Sequence, residues 1–285
     1  TVIHGIAGFA GTEPLVCALQ AGKRVALANK ESLVCAKALV DRALAQGTGE
    51  IIPVDSEQSA LFQCLAAGRR EDVKRLILTA SGGPFRMLDA ERLARVAPGD
   101  AMRHPTWKMG AKVTLDSATL FNKGLEMIEA AHLFGFGAHT IDVMIHPQSV
   151  VHSMVEFRDS SVIAQLSLPD MRLAIHYALT YPARQTSAFG ALDLTRLSGL
   201  TFERPDDARF PALRLAYAAL HAGGLAPCTY SAANEAAGTL FLGGRIGFME
   251  IPALVEQALE HTPKGEADSV EAIRSADHLA REYVM

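Results

Sequence analysis

The chain has 285 residues, 49% of them hydrophobic and 20% charged, with a formal net charge of -4 at pH 7. That balance excludes general disorder and gives no electrostatic case for nucleic acid as the partner, while leaving room for a local basic pocket that takes a small anion. The length supports a full hydrophobic core and a division into two structural units, because single cores stop growing at roughly 250–300 residues.

The first residues, Thr1 to Gly8, read as a strand running into a turn. Such a start implies a domain entered part-way through, with further sequence expected upstream; it does not resemble a signal peptide. Short apolar runs then alternate with helical patterns: strand over 25–28, helix over 32–45, strand over 51–54 and helix over 58–66. A further strand over 73–79 is stopped by Ser81-Gly82-Gly83-Pro84. This alternation predicts an α/β layer structure with mostly parallel pairing. Strands over 141–145 and 150–157, with 161–168 completing a hairpin, make a mixed sheet the expectation. Between 181 and 211 the pattern weakens around Pro182, Pro205 and Pro211 and reads as a linker. Helical patterns over 212–221, 231–242, 251–260 and 270–283 then predict a C-terminal helical bundle.

No apolar run reaches the ~18 residues of a membrane span. The four cysteines, Cys17, Cys35, Cys64 and Cys228, are scattered without C-x-x-C spacing, which suits a reducing compartment and suggests neither a zinc site nor a disulfide framework.

Asp55-Ser56-Glu57 follows the strand Ile51-Ile52-Pro53-Val54. Residues two apart in an extended segment point the same way, so both carboxylates can face one crevice, and the carboxyl ends of strands are where α/β sheets bind ligands. Hard oxygen ligands suit Mg²⁺ or Mn²⁺; the competing reading is a helix N-terminus capped by acidic residues. The segment 116–126, DSATLFNKGLE, starts like a helix with Asp116 or Ser117 as its cap. It carries Asn122, Lys123 and Glu126 among apolar positions, and Gly124 where a helix disfavours it. Lys123 and Glu126 share a helix face. They form either an exposed ion pair of little consequence or a phosphate-binding lysine beside a third metal carboxylate, with Gly124 admitting a ligand.

Ser81-Gly82-Gly83 can present backbone N–H groups to an anion or simply end a strand. Around the single tryptophan, His104-Pro105-Thr106-Trp107-Lys108-Met109-Gly110 is either an anchor folded on the core or a lid. His146 and His152 flank a strand start, where they serve a ligand or satisfy backbone. Lys30, in Asn29-Lys30-Glu31-Ser32, sits at another strand's carboxyl end. Lys30, Asp55, Glu57 and Ser81 thus stand at the ends of three successive strands, where one crevice forms.

Seven segments in order resemble the deoxyxylulose phosphate reductoisomerase family: ALANKESLV (26–34), PVDSEQSALFQ (53–63), TASGGPF (79–85), HPTWKMG (104–110), DSATLFNKGLEMIEA (116–130), IHPQSVVHSM (145–154) and LPDMR (168–172). SAANEAA at 231–237 adds to it. The resemblance implies that Asp55, Glu57 and Glu126 ligate one Mg²⁺ or Mn²⁺, and that Lys30 hydrogen-bonds the substrate beside it, with Ser56 nearby. It implies that Ser81, Ser117, Asn122 and Lys123 hold a phosphate with His104, that Trp107 folds over the substrate, and that His152, Pro169 and Met171 line the pocket. Gly8, Asn29, Lys30, Glu31, Met109, Gly110 and Met171 would face the NADPH. The implied reaction is a metal-dependent skeletal rearrangement of a sugar phosphate followed by reduction with NADPH, in a homodimer of the bacterial cytoplasm or, alternatively, the plastid.

The implied fold is α/β: the remnant of a Rossmann-type NADPH-binding domain over 1–45, a catalytic domain with a mixed sheet over 46–180, a linker over 181–206 and a helical bundle over 207–285. Two departures stand out. Gly5, Gly8 and Gly11 have G-x-x-G-x-x-G spacing, unlike the G-x-G-x-x-G dinucleotide fingerprint, so this chain is expected to hold metal and substrate and to bind NADPH poorly. Ala80 stands where the family often has glycine. Competing readings are a metal-dependent sugar-phosphate isomerase or aldolase without a redox step, and a non-catalytic binding module.

Overall fold

The computed structural model describes residues 1–103, 107 and 109–285. In chain order the elements are β1 (Val2–His4), α1 (Thr12–Gln20), β2 (Arg24–Leu27), α2 (Lys30–Gln46), β3 (Glu50–Pro53), α3 (Ser56–Leu65) and β4 (Val73–Ala80). Then come α4 (Ala90–Leu93), α5 (Pro98–Ala101), α6 (Ala111–Thr119), α7 (Phe121–Phe134), β5 (Ile141–Ile145), β6 (Val151–Phe157), β7 (Val162–Leu166) and α8 (Met171–Thr180). Helices α9 (Ala212–Ala222), α10 (Ala226–Leu242), α11 (Glu250–His261) and α12 (Val270–Val284) complete the chain.

Strands β1, β2 and β3 form one parallel sheet in that order. The sheet therefore runs past residue 45, where the sequence placed a boundary. The second sheet has the order β5-β4-β6-β7; β4 pairs parallel with β5 and antiparallel with β6, and β6 pairs antiparallel with β7. The fold is thus mixed α/β with a helical C-terminal part, as the sequence pattern required. Strand β4 reads as a continuous apolar run after Arg75 because Leu76, Ile77 and Leu78 are buried on both sheet faces.

In α12 the spacing of Ile273, Ala276, Ala280 and Val284 makes one buried stripe. Ser269 caps that helix by accepting from Ala272 N at 3.2 Å. The bundle shares its core with the second sheet and with α6 and α7, through Phe121, Leu125, Tyr230, Phe241 and Val255 among others. Full burial of each large side chain contributes roughly 2–3 kcal/mol. Over 181–206 the one helical element is the 3-10 turn Leu194–Arg196. This stretch is tied back nonetheless: Ile145 and Glu203 exchange two backbone hydrogen bonds of 2.9 Å, and the Phe202 ring stacks on His146 at 4.7 Å.

Candidate active site

Ends of strands from both sheets and a break between two helices enclose a cavity of about 250 Å³. Following β2, Asn29 caps α2 by accepting from Ser32 N at 2.7 Å. That cap places Lys30 at the first helical position, and its side chain lines the cavity. Following β3, Asp55 occupies the N-cap position of α3 but makes no side-chain capping bond. Its carboxylate pairs with Lys30 instead, so helix capping does not account for this acid. Glu57 accepts from Ser56 Oγ at 2.6 Å and from Lys123 Nζ at 2.8 Å.

The segment 116–126 departs from the single capped helix its sequence predicts. Asp116 and Ser117 lie in the last turns of α6, and Leu120 adopts a left-handed backbone (φ 65°) before α7 begins at Phe121. A left-handed leucine costs on the order of 1–2 kcal/mol. The break buries Phe121 in the core and sets Leu120, Asn122, Lys123 and Glu126 around the cavity. Lys123 and Glu126 are 4% and 1% exposed, which rules out a solvated surface pair. The reason for Gly124 differs from the one its position suggested. A Cβ there would stand 2.1 Å from the Tyr230 hydroxyl, so this glycine admits a side chain of α10 and no ligand. Gly83 has φ 66°, and a Cβ on it would meet Ser117 O at 2.6 Å. Close approach of the Ser81-Gly82-Gly83 turn to the end of α6 brings Ser81 and Ser117 to the same cavity.

Asp55, Glu57 and Glu126 each offer a carboxylate oxygen, and these oxygens lie within 4.8 Å of one another. An octahedral Mg²⁺ with bonds of about 2.1 Å separates its ligand oxygens by about 3–4 Å, so three hard donors fit it after a contraction of about 1 Å. Two ammonium groups are interleaved with these acids. Lys30 Nζ is 2.9 Å from Asn122 Oδ1 and 3.1 Å from Glu126 Oε1, and Lys123 also contacts Glu126. Burial disfavours the Lys30 ammonium, yet Asp55, Glu126 and Glu129 outweigh it and hold the pKa well above the usual lysine range. Burial likewise opposes ionisation of Asp55, but Lys30 and Lys123 keep its carboxyl below the usual range. For Glu126, burial and the Glu57 charge prevail and push the pKa up to about 7.

Trp107, Met109, Ser56, His152 and Met171 also line the cavity. The Trp107 ring stands edge-on to His152 with centroids 6.1 Å apart, and His104 lies outside the described residues. Gly8, Asn29 and Glu31 do not line it; they meet at an adjoining corner, where Asn29 Nδ2 donates to Gly8 O and to Glu31 Oε2, both at 3.2 Å. Gly110 is the N-cap residue of α6. His146 is structural: Nδ1 donates to Thr201 O at 2.9 Å, and Nε2 accepts from Val150 N and Val151 N at 3.2 Å.

Sequence reasoning missed three groups, two of them buried. Gln58 Nε2 holds Glu126 O at 2.8 Å. Glu129, 1% exposed, follows Glu126 by one helical turn, and its Oε2 has no hydrogen-bond partner among the described residues. Lys112 pairs with Asp116 at 2.6 Å; their i, i+4 spacing was the available signal.

Three family profiles match the chain. They are DXP reductoisomerase C-terminal domain over 166–283, 1-deoxy-D-xylulose 5-phosphate reductoisomerase C-terminal domain over 51–134, and 1-deoxy-D-xylulose 5-phosphate reductoisomerase over 1–37. The 1-deoxy-D-xylulose 5-phosphate reductoisomerase of Xanthomonas euvesicatoria pv. vesicatoria is 54% identical over 283 residues, covering 99% of this chain and 72% of the relative. That of Chlorobium chlorochromatii is 53% identical over 281 residues, with 99% and 74% covered.

Among solved structures, the Zymomonas mobilis enzyme in complex with NADPH superposes with a TM-score of 0.94 at 44% identity, covering 99% of this chain and 73% of the other. A DOX-P reductoisomerase in complex with NADPH, fosmidomycin and magnesium gives 0.95 at 39% identity, with 99% and 74% covered. Identity of this level over nearly the whole chain, with the same fold, shows that the chain belongs to the 1-deoxy-D-xylulose 5-phosphate reductoisomerase family.

Proposed function

We propose that this chain carries the metal- and substrate-binding machinery of 1-deoxy-D-xylulose 5-phosphate reductoisomerase, an NADPH-dependent oxidoreductase and isomerase that forms 2-C-methyl-D-erythritol 4-phosphate for isoprenoid synthesis. The observation that carries this reading is the convergence of Asp55, Glu57 and Glu126, with Lys30 and Lys123 between them. Asp55, Glu57 and Glu126 would hold Mg²⁺ or Mn²⁺, which supplies Lewis-acid polarisation of the substrate's ketone and hydroxyl oxygens. With a cation on the carboxylates, the lysines would turn to substrate: Lys30 would hydrogen-bond a substrate oxygen, and Lys123 would join Asn122, Ser81 and Ser117 around the phosphate. Anchoring the phosphate away from the reacting carbons orients the chain for skeletal rearrangement. Trp107 covers the substrate and excludes water from the aldehyde that NADPH then reduces.

Gly8, Asn29, Lys30, Glu31, Met109, Gly110 and Met171 are proposed to face the nicotinamide end of NADPH. Membership of the family favours this reading over a redox-free isomerase or aldolase and over a binding module. A homodimer is also proposed. Strand β7 is an edge of its sheet, and its Val162, Ile163 and Leu166 are exposed, which suits pairing with a second copy. The four cysteines are free and suit the reducing bacterial cytoplasm; none of the described helices is long and apolar enough to cross a membrane.

Calorimetric titration with a phosphonate–hydroxamate, with and without Mn²⁺, tests the reading. Metal-dependent binding that Asp55→Asn abolishes supports it; binding that ignores the metal, or survives that substitution, removes the carboxylates from the site.

A further inference from the structure

SAANEAA at 231–237 belongs to α10 in the helical bundle, and none of its residues lines the catalytic cavity. Its Asn234 is 2% exposed, and Nδ2 donates to Asp116 Oδ1 at 2.9 Å. Asp116 is 3% exposed. Its other oxygen pairs with Lys112 Nζ at 2.6 Å, and the same ammonium donates to Glu31 Oε1 at 3.1 Å. Glu31 in turn accepts from Asn29, the N-cap of α2. The line Asn234–Asp116–Lys112–Glu31–Asn29 therefore joins three helices from different parts of the chain. At one end it passes Lys30; in the middle Asp116 immediately precedes Ser117.

We infer that this relay, buried at Asn234 and Asp116 and half-buried at Lys112 and Glu31, is a positioning device by which the helical bundle sets Lys30 against Ser117, with Asn234 and Lys112 as its positioning residues. The inference rests on the function proposed above. Its physical basis is the charge sequence. Lys112 sits between two carboxylates and ties the first turn of α2 to the last turns of α6. With Lys112 engaged on one Asp116 oxygen, Asn234 uses its amide to hold the other. A carboxylate held at both oxygens has one orientation, and so does the lysine it fixes. Asp55, Glu57 and Glu126, at the start of α3 and on α7, meet Lys30 and Lys123 rather than the relay's own members, so substrate-analogue binding should suffer more than metal binding when the relay is cut.

The experiment titrates the full chain with Mn²⁺ alone and then, at saturating Mn²⁺, with a phosphonate–hydroxamate. Wild type is compared with Asn234→Ser, Lys112→Met and Lys112→Arg, and thermal melts are run on all four. The expected result is Mn²⁺ affinity within twofold of wild type throughout, a loss of analogue affinity on the order of tenfold in Asn234→Ser and Lys112→Met, and substantial recovery in Lys112→Arg, which keeps the charge. Unchanged analogue affinity in both disabling variants overturns the relay. So does a joint fall of Mn²⁺ affinity, analogue affinity and melting temperature, which marks a merely structural role. If wild type itself shows no metal-dependent analogue binding, the proposed function fails first and the positioning role with it.

Discussion

Lys123 Nζ donates to Glu57 Oε1 across 2.8 Å while contacting Glu126, so one buried ammonium joins α3 to α7 where the carboxylates converge. Lys30 does the same between Asp55 and Glu126. Without a cation, the two lysines are what neutralises the three acids. Lys123→Met should therefore destabilise the metal-free chain by roughly 3–5 kcal/mol, the usual penalty for leaving one side of a buried ion pair uncompensated. Saturating Mn²⁺ should recover part of that loss, because a ligand that binds only the folded state raises its stability. Urea unfolding with and without Mn²⁺ measures both effects; a variant as stable as wild type in metal-free buffer would show that the ion pairs carry no weight.

Glu126→Gln makes the complementary test. Burial and Glu57 raise the Glu126 pKa to about 7, so the folded chain already tolerates a neutral group there, and glutamine has the same shape. The fold should survive with little change in melting temperature. Metal affinity should fall by roughly a hundredfold, since one of three anionic donors becomes a weak neutral one. Calorimetry with Mn²⁺ reads the affinity, and retention within a few-fold of wild type would remove Glu126 from the ligand set.

These two side chains also mark the limit of what the sequence displayed. Most strands and the C-terminal helices were legible from periodicity and punctuation, whereas α1 and α8 were not; strand-end placement of Lys30, Asp55 and Ser81 followed from the strands. The break at Leu120 was not legible, because a left-handed leucine has no signature in composition; it turns Phe121 into the core and Asn122 and Lys123 to the cavity. For the same reason the sequence offers Asp116 or Ser117 as a cap, although both lie inside α6 and Asp116 answers Asn234 from 118 residues away. Long-range partners of this kind leave no trace in local spacing. Lys112 with Asp116 did leave one, at i, i+4.

Gly124 offers a prediction that separates packing from ligand access. Its missing Cβ makes room for Tyr230, whose hydroxyl donates to Ala212 O at 3.1 Å. Gly124→Ala should cost roughly 3 kcal/mol through overpacking, whereas Tyr230→Phe alone should cost about 1 kcal/mol for the lost hydrogen bond. Deleting the hydroxyl removes the closest clash, so the double variant should lose less than the sum. Denaturant midpoints of the three variants give the cycle; strict additivity would mean that the glycine serves something other than Tyr230.

His132 sets an acid limit on stability that can be isolated from the rest of the site. It lies on α7, its Nδ1 is 3.1 Å from Leu33 O in α2, and burial lowers its pKa to about 4. In the unfolded chain the group titrates near 6.5, so between these values the unfolded state binds more protons. Stability from this residue is therefore complete above pH 6.5 and declines as pH falls towards 4, by roughly 3 kcal/mol across the window. Glu126, with its pKa raised to about 7, acts in the opposite sense between its unfolded and folded values, which makes the total curve a poor readout. The difference between wild type and His132→Gln is a good one. At pH 7.5 the variant should be about 1 kcal/mol less stable, from its lost packing and hydrogen bond. Because glutamine does not titrate, that gap should close and then reverse as the pH is lowered to 4. Urea unfolding of both proteins at several pH values measures it, and parallel curves across the window would show that His132 takes up its proton as readily folded as unfolded.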